Sequence, residues 1–219
     1  MDLELLSYLK TYLTEHRLEL FSEVLSKRTR HFTVVTEDVY QLHNTSAVMR
    51  SCDVFGIQDL HVVEERLGKK LDREIAMGAQ KWVDIYRHND VCQCIDTLRA
   101  SGYQIIATTP HNDSQLLADF DVSKKTAFFF GTERDGISDT VMNAADGFLK
   151  IPMYGFTESL NISVSAAIIL QDVVTKLKAS DVNWQLSEEE KQEIEMRWTT
   201  NTIKSAPEII ERYYADKND

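Results

Sequence analysis

Along the first 26 residues Leu6, Leu9 and Leu13, followed by Leu18, Phe21 and Leu25, recur at spacings that form one apolar stripe, so residues 3 to 26 are predicted helical. Six short β-rich runs follow: HFTVV (31–35), LHVVE (60–64), KWVDIY (81–86), QIIATT (104–109), TAFFFG (126–131) and GFLKIP (147–152). Helical patterns over 45–55, 90–101, 138–145 and 160–178 lie between and after them. This alternation predicts an α/β fold, a mainly parallel sheet with helices on both faces. Ligands of such sheets bind at the carboxyl ends of the strands. Three polar loops leave such ends: TTPHND after residue 107, GTERDGIS after 130 and PMYGFTESLN after 151.

The tail has its own pattern. Ser187 followed by Glu190 in SEEEKQEIEMRW is a capping-box signature for a helix, and Pro207 suits the opening of a last one. We therefore expect a helical extension over residues 1–27, an α/β domain over 28–179 and a helical tail over 180–219.

Composition narrows the classes. The chain has 219 residues, 43% hydrophobic and 27% charged, no apolar stretch long enough for a membrane span, and acidic residues where a signal peptide is basic. A cytoplasmic location with no membrane partner is expected. Cys52, Cys92 and Cys94 form no even framework and CQC lacks the two-residue spacer of common zinc sites, so no metal is expected. With 24 basic against 35 acidic residues, net charge −11, the chain does not bind nucleic acid through bulk positive charge; the local cluster Lys27, Arg28, Arg30 is the exception. No G-x-G-x-x-G, G-x-x-x-x-G-K-[ST] or G-x-S-x-G motif occurs in a position to bind dinucleotides, cradle phosphates or present a nucleophile.

Three polar segments remain. In HNTSAVMRSCDVFG, Val48, Cys52 and Phe55 make the buried stripe, and Arg50 projects about 200° from Val48, while Asn44 sits where the helix should begin and can serve as its N-cap. In FFFGTERDGIS, three consecutive Phe residues mark a strand buried on both faces that delivers Gly131 and Glu133 to its end; Glu133 can equally pair with Arg134 or Lys125. In YGFTESLNISVSAAIIL, Val164, Ile168 and Ile169 would be the apolar stripe of a core helix, whereas Ser163, Ser165, Ala166 and Ala167 allow another backbone to come close. Ser159 and Asn161 can cap that helix or face a ligand, and composition does not separate the two.

Taken in this order, the three segments resemble the motifs of the SpoU or TrmH branch of the SPOUT RNA methyltransferases, over roughly residues 20 to 178. The resemblance implies a C-terminal deep trefoil knot, a rare exception to unthreaded connectivity. It also implies S-adenosyl-L-methionine held by the three loops at Thr108, Gly131, Ile151, Met153 and Leu160, a homodimer, and a catalytic set of Asn44, Arg50, Glu133, Ser159 and Asn161. The activity implied is methylation of a ribose 2'-hydroxyl, and among family members the similarity is to tRNA enzymes acting on a D-loop guanosine. A ribosomal RNA methyltransferase and a non-catalytic knotted RNA-binding protein are the alternatives.

The family's proposal of the arginine as general base conflicts with the chemistry of a guanidinium, whose neutralisation near pH 7 costs roughly 7 kcal/mol at about 1.36 kcal/mol per unit. A charged Arg50 that stabilises the developing alkoxide or holds a phosphate is the expectation here. Phosphate contacts are expected from Lys27, Arg28 and Arg30, and from Lys176 and Lys178, which stand at shifted positions relative to the family's basic pair after the third motif.

Overall fold

The computed structural model describes residues 1–39, 42–64, 78–110, 114–132 and 135–217, without the side chains of Leu42 and His43. In chain order the elements are α1 (Leu3–Lys10), α2 (Glu15–Leu25), β1 (Phe32–Glu37), α3 (Leu42–Phe55), β2 (Asp59–Val63), β3 (Asp84–His88), α4 (Val91–Ala100), β4 (Gln104–Thr108), β5 (Gln115–Leu116), β6 (Thr126–Phe130), α5 (Asp139–Ala144), β7 (Gly147–Lys150), α6 (Ile162–Lys178), α7 (Glu188–Thr202) and α8 (Ala206–Lys217). They fall into two compact units, Thr29–Trp184 and the joined ends Met1–Arg28 with Gln185–Asp219. No helix among the described residues is long and apolar enough to cross a membrane.

The larger unit is a seven-stranded sheet in the order β3-β2-β1-β6-β4-β7-β5. Every strand pair is parallel. All five residues of β6 are buried, and its side chains alternate between two cores. Phe128 and Phe130 join Val34, Leu60 and Val62 against residues of α3 and α6; Ala127 and Phe129 join Val35, Val63 and Ile105 against residues of α4 and α5. A fully buried Phe stabilises by about 1.5–3 kcal/mol relative to exposure, so this strand anchors both layers.

Caps place the helices. Asp90 accepts from Cys92 N at 2.7 Å to open α4, and Ser138 accepts from Val141 N at 3.3 Å to open α5. In the smaller unit, Ser187 and Glu190 form the capping box of α7. There Phe21 meets Trp198 edge-on at 5.4 Å and the Arg28 guanidinium lies 5.3 Å from the same ring.

The elements differ from the sequence pattern at four points. The stripe over residues 3 to 26 is two helices, because Thr14 caps α2 with its side chain and interrupts the run. The run KWVDIY starts as a 3-10 turn at Ala79–Lys81, and the strand is Asp84–His88. β5, two residues long, has too little pattern to register in sequence. On α6 the buried residues are Ile162, Ala166, Ile169, Leu170, Val173, Val174 and Leu177, whereas Val164 and Ile168 are exposed, since the small Ala166 lies where the helix meets the core.

At the amino ends of β1, β2 and β3 a largely buried ion cluster joins the strands. Arg30 Nε donates to Asp59 Oδ1 at 3.2 Å and its NH2 group donates to Asp84 Oδ2 at 3.1 Å, while Asp59 and Asp84 face each other in register. Burial, offset in part by Arg30 and reinforced by Asp84, raises the Asp59 carboxyl to about 6. The folded chain thus retains a proton that the unfolded chain releases near pH 3.8, so this group's contribution is most favourable at low pH and is lost as pH rises through about 6. The loss is on the order of 2–3 kcal/mol. Denaturant unfolding of Asp59→Asn against the parent is expected to show a flatter fall in stability over this window; equal slopes would contradict the assignment.

Candidate active site

β4, β6 and β7 end side by side, and the loops that leave them line a cavity of about 470 Å³. Its size suits a ligand of nucleoside dimensions, since small-molecule pockets run from roughly 300 to 1,000 Å³. The first loop is held back onto the sheet: Thr108 Oγ1 donates to Phe129 O at 2.8 Å and Thr109 N donates to Leu149 O at 3.0 Å.

The second loop folds over as a tight reversal. Thr132 N donates to Gly136 O at 2.9 Å, Gly136 N donates to Thr132 O at 3.1 Å, and Asp135 N donates to Thr132 Oγ1 at 2.8 Å. A Cβ on Gly131 would lie 2.1 Å from Gly136 O, so that position accepts no side chain without the loop opening, whereas Gly136 has open space around it and is constrained by its left-handed φ of 71°. The loop's exit is tied to β1, where Glu37 Oε2 accepts from Ser138 N at 3.0 Å.

The third loop runs from β7 to Asn161, the N-cap of α6. Asn161 Oδ1 accepts from Ser163 N at 2.8 Å and from Ser163 Oγ at 2.6 Å, while Nδ2 donates to Asn44 Oδ1 at 3.1 Å. One amide therefore both caps a helix and reaches residue 44 in α3. The cap alternative is thus realised, and the remaining amide group turns to Asn44, not into the cavity lining.

Thr108, Gly131, Ile151, Met153 and Leu160 all line the cavity, and Ser159 lines it with them. Asn44 is buried in the first turn of α3 and, as the third residue of a helix that begins at Leu42, is not its N-cap; its side chain accepts from Asn161. Arg50, six residues on, is exposed. Glu133 lies outside the described residues. Among the described residues, Asp135, Asp139 and Glu158 line the cavity together with one lysine, Lys150. Asp135 and Glu158 sit in the polar loops GTERDGIS and PMYGFTESLN, but nothing in their spacing distinguishes a lining carboxylate from a solvated one.

The basic residues separate. Lys27 is exposed and paired with Glu23 at 2.6 Å, and Lys178 is exposed with its ammonium 5.6 Å from the Trp184 ring. Lys176 pairs with Asp172 at 2.6 Å and donates to the carbonyls of Leu117 and Ala118. Two expectations are corrected: Arg28 is 1% exposed against Trp198, and Arg30 is committed to Asp59 and Asp84. Local charge density in sequence does not distinguish a guanidinium that faces phosphate from one that serves the core.

These features define a parallel α/β protein with a three-loop cavity at its strand ends. Residues 31–171 match the SpoU rRNA Methylase family, and the chain belongs to that family. It is 34% identical over 203 residues to the tRNA (guanosine(18)-2'-O)-methyltransferase of Borreliella burgdorferi, covering 93% of each chain. The crystal structure of the A. aeolicus TrmH/SpoU tRNA modifying enzyme superposes with a TM-score of 0.77 at 34% identity, over 86% of this chain and 98% of that one. The AdoMet-bound rRNA methyltransferase from Sinorhizobium meliloti is 25% identical with a TM-score of 0.61, over 69% of this chain and 58% of that one.

The burial of Arg28 has a direct consequence for stability. Arg28→Ala is expected to cost about 2 kcal/mol or more in chemical denaturation, and Lys27→Ala less than about 0.5 kcal/mol. Equal small effects would return Arg28 to the surface.

Proposed function

We propose that this chain transfers the methyl group of S-adenosyl-L-methionine to the 2'-hydroxyl of a guanosine in tRNA. The observation that carries this reading is the cavity at the ends of β4, β6 and β7, whose lining includes all five positions that the resemblance assigns to the methyl donor. The collinear match to a tRNA (guanosine(18)-2'-O)-methyltransferase over 93% of the chain supports tRNA as the substrate. A cytoplasmic location accords with that substrate.

The residues present fit the donor. Backbone groups around Thr108, Gly131 and Leu160 suit the edges of an adenine, Ile151 and Met153 supply apolar surface, and the carboxylates of Asp135, Asp139 and Glu158 complement a sulfonium cation. When bound, S-adenosyl-L-methionine supplies an electrophilic methyl group on a sulfonium whose leaving group is a neutral thioether. The protein's tasks are then positioning and help with one proton. Ser159 stands at the cavity lining to orient the ribose, and Asn161, locked by Asn44 and Ser163, holds the third loop in place for it. Arg50, exposed on α3, remains charged and stabilises the alkoxide or grips a phosphate, and Glu133 belongs to the same catalytic set.

We also read β6 through α6 as the knotted part. In support, β6 inserts between β1 and β4, β7 lies beyond β4, and α6 returns to share a core with Val48, Met49 and Cys52 of α3. A homodimer fits the apolar groups left outside: Val54, Tyr154, Phe156, Val164 and Ile168 are exposed on α3, on the third loop and on α6. Lys27 and Lys178 each remain a candidate phosphate contact, and Lys176 becomes one only if its pairing with Asp172 opens.

Incubating the protein with labelled S-adenosyl-L-methionine and separate pools of tRNA and ribosomal RNA tests the reading. Label is expected on one guanosine 2'-oxygen of tRNA; label on ribosomal RNA alone, or none, overturns it. Arg50→Ala is expected to lower single-turnover rate by roughly 10²-fold or more. Arg50→Lys keeps the charge, and its pH–rate profile is expected to follow the parent's; a displaced profile would instead make Arg50 the base. Sedimentation as a monomer would remove the dimer.

A further inference from the structure

Outside the cavity, the far edge of the sheet gathers three side chains that the activity does not use. His61 on β2, His88 on β3 and Cys94 on α4 bring one nitrogen of each imidazole and the thiol sulfur within 4.8 Å of one another. Strand register explains the histidines. Val63 pairs with His88 and His61 with Tyr86, so the two rings are diagonal neighbours on one face of adjacent strands, stacked with centroids 5.2 Å apart. α4 covers that face, and Cys94, fully buried one turn into it, points at the pair.

We propose that His61, His88 and Cys94 bind a divalent transition-metal ion of the zinc class, with water as the fourth ligand. Two imidazoles and one thiolate form a donor set that such ions favour, and a three-ligand arrangement leaves one position for solvent. His61 Nδ1 and His88 Nε2 stand 2.9 Å apart, joined by a hydrogen bond. A tetrahedral ion with bonds of about 2.0–2.1 Å to nitrogen and about 2.3 Å to sulfur needs roughly 3.3 Å between its nitrogen ligands and roughly 3.6 Å from each to the sulfur, so the rings part by about 0.4 Å and the thiol, now within 4.8 Å, closes on them. Half-buried His88, on the edge strand β3, gives the ion an approach from solvent.

The surroundings suit a cation. Burial holds both imidazoles in the neutral form that ligates, with His61 lowered to about 4. Burial and the nearby Glu37 carboxylate push the Cys94 thiol up to about 12 in the absence of an ion. A divalent ion between these groups reverses that effect: the thiol releases its proton to solvent and the thiolate ligates, while the ion's charge offsets both the sulfur and Glu37. The Tyr86 ring, stacked on His61 at 4.8 Å and 19°, fixes the imidazole plane. Bound metal would clamp β2, β3 and α4 together at the exposed edge.

Cobalt(II) titration of the metal-stripped protein tests this, in a Cys92→Ser background that removes the exposed neighbouring thiol. The expected result is one equivalent per chain, a thiolate-to-cobalt charge-transfer band, displacement by zinc, and a Tm raised by zinc. Cys94→Ser is expected to abolish the band, and His88→Ala, at a half-buried position tolerant of change, to weaken binding by at least about 10-fold. Absence of the band in the parent, or binding unchanged in both variants, would show a hydrogen-bonded histidine pair and overturn the proposal.

Discussion

The placement of β6 is the constraint on which the site depends. Its five buried residues pack on both faces, and β1 and β4 pair with it on either side. Such a strand has one allowed position and one register, because a shift by one residue would exchange Phe128 and Phe130 for Ala127 and Phe129 between two filled cores. Its last residue therefore delivers Gly131 to a fixed point, and the reversal from Thr132 to Gly136 closes there. With β6 between β1 and β4, the later strand β7 lies beyond β4, and since all three run parallel the first and third loops leave the same end of the sheet side by side.

The second requirement is that α6 return against α3. Ala166 makes the close approach possible, and the Asn161 amide joins the two helices' starts across 117 residues of sequence by its hydrogen bond to Asn44. With Asn44 buried, such a pair costs little while both partners are satisfied and more when one is removed. It also gives a physical reason for two asparagines in separate segments, each of which alone would suit a simple helix cap.

The sheet was legible because strand signals in this chain are local: FFF and the runs ending at the three polar loops need no tertiary context. The five cavity positions were reached through the family resemblance, since main-chain recognition leaves little mark on side-chain chemistry. What sequence hid was decided by partners far away. Arg28 and Arg30 read as a basic surface, yet Trp198 and the pair Asp59 and Asp84 draw them inward. Of the stripe that a simple core helix would have, Ile169 is buried whereas Val164 and Ile168 lie outside, and Ala166 is on the buried face. Asn44 read as a cap and proved to be one half of a contact. The histidine–cysteine group followed the same rule, with ligands drawn from β2, β3 and α4 at spacings that no local motif describes.

The central claim is that the three loops form one binding site for the methyl donor, and direct calorimetry of S-adenosyl-L-methionine binding to the protein alone tests it most closely. One site per chain is predicted, with affinity falling at least about 10-fold in Gly131→Ala, where the new Cβ would meet Gly136 O at 2.1 Å and open the second loop. Donor binding that is undiminished in Gly131→Ala, in a variant shown to be folded, would place the donor elsewhere and contradict the account.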